Sequence, residues 1–152
     1  MLKRYYPEKP LPPYAFIPGM NPHPFKEQGH WQGLHEPICE MISDTSPLAN
    51  KDFAYALDLY NHQFYWEAHV YLEALWNAHK RIGPIATLLK AIIIDSAGMI
   101  KMKKGQSLPA ETHFNRAHEL LEGLLTHKTL IGIDLFELSR AWKCGERQIL
   151  IN

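Results

Sequence analysis

Residues 60–76 read Tyr60-Asn61-His62-Gln63-Phe64-Tyr65-Trp66-Glu67-Ala68-His69-Val70-Tyr71-Leu72-Glu73-Ala74-Leu75-Trp76. Within the run, Tyr65, Ala68, Leu72 and Leu75 recur at the three- and four-residue steps of one α-helical face. They predict a helix over about Phe64 to Lys80 that stops near Gly83-Pro84. Upstream, Phe53, Ala56, Leu57 and Tyr60 fall at i, i+3, i+4 and i+7, the face of an earlier helix ending near Asn61-His62-Gln63. With so few residues between them, the two helices should form an antiparallel hairpin.

Working outward, Pro84 to Lys104 is the most apolar part of the chain, with Leu88, Leu89, Ile92, Ile93 and Ile94, and should be the central helix. Gly105 is a natural stop. Pro109 is placed to open a fourth helix through Phe114, Ala117, Leu121 and Leu124, and a short fifth is expected around Leu135 to Trp142. No strand alternation is visible in this half. The fold class is therefore all-α, an antiparallel bundle of four to five helices over residues 49–152.

Nine of the eleven prolines fall at or before Pro47, so residues 1–48 form a proline-rich, non-helical N-terminal arm. Tyr5, Tyr6, Tyr14, Phe16, Phe25 and Trp31 interleave with the prolines and supply apolar surface that a solvated linker lacks. The arm is expected to lie against the body in extended or polyproline II form.

Composition narrows the function. At 152 residues, 46% hydrophobic and 21% charged, the chain is one domain with enough core to need no disulfide or metal for folding. Sixteen basic residues balance sixteen acidic ones without a basic stripe, which argues against a nucleic-acid partner. Neither a signal-peptide pattern nor a run of about 18 apolar residues occurs, so no membrane partner is expected. Cys39 and Cys144 have no CxxC spacing and fit a cytoplasmic protein with free thiols.

Residues 60–76 resemble the signature of domain-of-unknown-function family 309. That pattern runs Asn-x-x-x-aromatic-aromatic-Glu-Ala-His-Glu-x-x-Glu-x-x-Trp, with a following helix that ends in Gly-Asn, which Lys104-Gly105-Gln106 resembles. The likeness covers about residues 50–127 and implies a small helical bundle with no agreed activity. Two positions depart from it: Val70 replaces the Glu after the His, and Ile94-Asp95 falls where the family carries Gln. The unit Leu57 to Ala74 followed by Ala110 to Leu125 is also similar in shape to tetratricopeptide hairpins, without keeping their 34-residue period.

Trp66, His69, Glu73 and Trp76 step by three, four and three along one stripe of the second helix. A His and a carboxylate at i, i+4 have several readings. They form a hydrogen-bonded pair that fixes packing, or the polar centre of a binding site walled by the two tryptophans, or two ligands of a zinc or iron ion. Asp95, an acid on the apolar shoulder of the third helix, is expected to face His69, and His23 or His30 from the arm would complete a metal set. The HExxH motif, paired Glu-x-x-His motifs, phosphate loops and GxSxG elbows are absent. His62, His79, His113, His118 and His127 fit exposed helix faces, and Cys144 a packed C-terminal position.

The leading expectation is a module that binds a protein partner, a second copy of itself or a small ligand. Its site would be Trp66, His69, Glu73, Trp76 and Asp95 between the second and third helices. The alternative is a metal-dependent hydrolase in which His69, Glu73, Asp95, His23 and His30 supply the ligands and Glu67 the base.

Overall fold

A computed structural model describes residues 2–151. Five helices make the body: α1 (Lys51–Asn61), α2 (Tyr65–Ala78), α3 (Pro84–Lys103), α4 (Ser107–Glu122) and α5 (Leu135–Lys143). The class is all-α, as the periodicities predict. α1 and α2 form the hairpin, and α3 lies between α2 and α4. Every residue of α1 from Phe53 to Asn61 is buried, because the arm and the C-terminal tail cover the sides that α2 leaves open. α3 is central in position, but Ile93, Ile94, Met99 and Ile100 are only partly buried. Apolar content alone therefore misplaced the most enclosed helix.

Local chemistry sets the boundaries. Asn50 caps α1 by accepting the Phe53 N–H at 3.0 Å, and its amide also donates to the Glu40 carbonyl, tying the arm to the helix start. Asn50→Ala should lower the unfolding free energy by about 1 kcal/mol in a urea titration; an unchanged midpoint would count against this cap. The α1–α2 turn closes through Gln63 at φ 70° and a bond from Phe64 N–H to the Leu59 carbonyl. α4 begins two residues earlier than expected, at Ser107, and Pro109 lies within its first turn, where no backbone donor is required. Gly98 lets α3 approach α4: a Cβ there would lie 2.6 Å from a ring carbon of Phe114.

One small sheet departs from the sequence reading. β1 (Thr129–Leu130) pairs antiparallel with β2 (Ile133–Asp134), and Ile133 bridges to Ile151 in the tail. Ile131 and Gly132, at φ 44° and 77°, form the two-residue turn. Two-residue strands are too short to show alternation.

The arm lies on α1 and α2, though mostly not in extended form. Hydrogen bonds such as Lys9 N–H to Tyr6 O, Met20 N–H to Ile17 O and Trp31 N–H to Pro24 O fold it into successive turns. The longest stretch without a turn or bend is Leu34–Ser43. His79, expected on an exposed face, is buried at the end of α2 and accepts the Ile42 N–H at 2.9 Å. Cys144 is exposed rather than packed.

Candidate functional site

α2 presents two chemically different sides because Glu67 and His69 are only two residues apart on a helix. His69 points outward. Its Nε2 lies 2.9 Å from Glu73 Oε2 and its Nδ1 lies 3.2 Å from the Trp66 carbonyl, so both ring nitrogens face oxygen acceptors. The pair is half-open to solvent, with side chains 31% and 46% exposed. It lines a cleft with Trp66, Val70, Ala74 and Asn77 from α2 and Glu36 and Pro37 from the arm. The cleft lies between α2 and the arm, not between α2 and α3. Its volume of about 130 Å³ is well below the roughly 300–1,000 Å³ of a small-molecule pocket. A single side chain or a small ion fits there. Trp76, expected as a wall, is instead covered by the Arg81 guanidinium 4.4 Å above its ring.

Glu67 is fully buried beneath the arm. Its Oε2 accepts the Phe16 N–H at 3.0 Å and lies 3.1 Å from His30 Nε2, whose N–H is out of line for a hydrogen bond. Glu67 Oε1 and the His30 ring nitrogens have no hydrogen-bond partner among the described residues. Burial pushes the Glu67 carboxyl up to about 7 and holds the His30 imidazole below its ordinary value. Around them Tyr14 stacks on His30, and Phe16, His23, Phe25 and Trp31 surround Trp66. His23 is thus part of an aromatic cluster, and its Nδ1 accepts the Phe25 N–H.

Asp95 lies in a third place. Its Oδ2 accepts the Tyr60 hydroxyl at 2.6 Å and pairs with Arg147 Nε at 2.9 Å, while the Trp142 indole N–H donates to the Tyr60 oxygen at 3.0 Å. A buried acid requires such partners, and they come from α1 and the tail rather than from His69. Burial nevertheless raises Asp95 to about 6, against the lowering effect of Arg147. The expected ligands His69, Glu73, Asp95, His23 and His30 are therefore divided among separate environments. Among the described residues no group of three or more His, Cys, Asp or Glu is close enough to hold a metal ion. His69 and Glu73 remain together as a pair.

These three environments sit on a recognisable helical unit. Residues 53–112 match the family model described as Domain of unknown function (DUF309). The match covers 60 of the 152 residues, so this stretch is similar to the DUF309 family. No curated protein and no solved structure matches the chain. The DUF309 segment holds six buried polar side chains: Asp58, Asn61, Glu67, His79, Asp95 and Ser96. All but Ser96, which bonds back to the Ile92 carbonyl, reach residues outside the segment. Asp58 holds Arg4, Tyr5 and Tyr6, while Glu67 holds Phe16 and His79 holds Ile42. Asn61 pairs with Ile149 in both directions and Asp95 with Arg147. Sequence reasoning missed these sockets, although a buried-phase acid such as Asp58, among Tyr55, Leu57 and Leu59, was a legible signal that a partner was required.

Among the described residues no helix is long and apolar enough to cross a membrane. A second hollow, of about 150 Å³ between α5 and the tail, is lined by Glu137, Arg140 and Glu146, whose charges already pair with one another. The α2 cleft differs because the carboxylate of Glu36 has no cation within ion-pair distance among the described residues.

Proposed function

We propose that the protein is a partner-binding module that receives a basic side chain in the α2 cleft. The observation that carries the reading is the half-open His69–Glu73 pair at 2.9 Å, set in a cleft of side-chain size with Glu36 on its rim. Glu73 and Glu36 supply negative charge, and Val70 and Ala74 offer an apolar floor for the methylene stem of a lysine or arginine. Trp66 adds an aromatic edge. A cytoplasmic setting belongs to the same reading, supported by the two free thiols of Cys39 and Cys144.

The simplest probe is n-butylammonium, a lysine side chain without its backbone. Titrated into the isotopically labelled full chain, it should shift the amides of His69 to Asn77, and Glu73→Gln should weaken the response several-fold. A response elsewhere, or one insensitive to Glu73→Gln, would overturn the reading.

Metal-dependent hydrolysis is the rival, favoured by the same pair because its two atoms lie near the spacing that a shared zinc or iron would impose. Elemental analysis of protein prepared without chelators separates the two. One equivalent of metal, lost in His69→Ala, would replace the side-chain reading with the metal one.

A further inference from the structure

Leu34 to Ser43 is the longest part of the arm without a turn or bend, and it runs past the cleft. Over residues 36–40 it shows the alternation of a strand: Glu36, Ile38 and Glu40 are exposed, while Pro37 and Cys39 are half-buried toward the body; His35 and Met41, just outside, are exposed as well. Among the described residues no strand pairs with it. Among the described residues, the N–H and C=O groups of Glu36 and Ile38 have no hydrogen-bond partner; the first contacts occur at the Glu40 carbonyl, which accepts from Asn50, and at the Ile42 N–H. Ile38 is 97% exposed, with Leu34 and Met41 at 62% and 63% on either side. An apolar side chain in full solvent on an unpaired, straight backbone is what an added strand would cover.

Charge decides the occupant. Glu36 and Glu40 flank Ile38 on the same face, and neither carboxylate lies within ion-pair distance of a cation among the described residues. Glu36 has a second acid, Glu73, across the α2 cleft, while the hollow beside Glu40 is lined by both Asp52 and Lys51, the lysine outside ion-pair distance of Glu40. A second copy of the chain is a poor fit: antiparallel self-pairing about Ile38 sets Glu36 against Glu40, and parallel pairing sets each Glu against itself. A partner with an apolar residue opposite Ile38 and basic residues two positions to either side satisfies all three side chains.

We infer that Leu34–Met41 is a docking edge for an extended peptide strand of basic-x-apolar-x-basic pattern, an inference that rests on reading the α2 cleft as a partner site. The strand's backbone pairs with Glu36 and Ile38. One of its basic side chains enters the cleft beside Glu36, His69 and Glu73, and the other meets Glu40.

The test uses the labelled full chain and a heptapeptide in which threonines alternate with lysine, valine and lysine, beside a control carrying glutamate for lysine. The lysine peptide should shift the amides of residues 36–41 and of His69 to Asn77, weaken as salt is raised, and lose at least tenfold in affinity with Ile38→Pro, which removes a strand N–H at an exposed site. The double variant Glu36→Lys, Glu40→Lys should prefer the glutamate peptide. No shift at residues 36–41 up to millimolar peptide, or an unchanged preference in the double variant, would overturn the inference. Shifts confined to His69–Asn77 would also overturn it while leaving the cleft standing. Shifts at residues 36–41 with no response of the cleft to n-butylammonium would keep the docking edge and remove the cleft reading.

Discussion

Asp58→Ala is expected to free the first ten residues from the body and to lower the unfolding free energy by about 3 kcal/mol. Asp58 lies in α1 with no exposed surface, and its two oxygens receive the Tyr5 N–H at 2.7 Å, the Tyr6 N–H at 2.9 Å and Arg4 Nε at 2.8 Å. Those contacts place Tyr6 edge-on against Tyr55, and Tyr5 so that its hydroxyl accepts the Ile151 N–H. One carboxylate thus joins the arm, α1 and the C-terminal tail. Alanine would leave two donors and a guanidinium facing a buried void, a state the chain avoids by letting the arm peel into water. That escape holds the cost near the lower end of the range for a broken buried ion pair. Asp58→Asn keeps the shape but only one acceptor oxygen, so about half the loss is expected. Urea unfolding gives the total, and amide exchange at Tyr5 and Tyr6 shows where it arises. If both variants keep the parent midpoint and slow exchange, the arm is held by other means.

The helices were legible because their stripes are long. Phe53 to Tyr60 and Tyr65 to Leu75 repeat the helical period often enough to locate α1 and α2 within a residue or two. The His69–Glu73 pair was legible for the same reason, since i, i+4 spacing alone brings the two side chains together. What could not be read depends on chain segments distant in sequence. Nothing local in Asp95 distinguishes a partner on α2 from Arg147 in the tail, 52 positions away. Nor does Glu67 reveal that Phe16 will donate to it. The arm's turns were hidden differently: proline fixes its own φ but not the next residue's, so proline content suggested polyproline II where bonds such as Trp31 N–H to Pro24 O fold the chain back. The same long-range dependence explains why the DUF309 segment carries five buried polar groups aimed at its flanks. Each terminal segment offers unpaired backbone or a guanidinium, and each socket supplies what that segment lacks.

Glu67→Gln should make the protein more stable than the parent at pH 8, by about 2 kcal/mol, with the advantage shrinking toward zero as the pH falls below 5. In the unfolded chain this carboxyl ionises near its ordinary value of 4.5, whereas burial beneath the arm raises it to about 7 in the folded protein. The folded state therefore favours the protonated acid. The stability this provides is fully present below pH 4.5, declines as pH rises from there and is gone above about 7, where a charged carboxylate must be carried into the fold. Glutamine carries no charge at any pH, and its carbonyl can still accept the Phe16 N–H, so the variant escapes that loss. The full linkage value is larger than 2 kcal/mol, but the arm can open and hydrate the ionised carboxylate, which limits the gain. His30, beside Glu67, and His79, at the far end of α2, are held below the ordinary 6.5 by burial and act with the opposite sign. Their stabilisation is present above pH 6.5 and is lost as pH falls through their folded values, in parent and variant alike. Asp95, raised from 3.8 to about 6, is likewise common to both proteins. The difference between the two urea curves at pH 5, 6.5 and 8 thus isolates Glu67, and a gap that stays constant across the three would show that Glu67 is ionised in the folded state throughout.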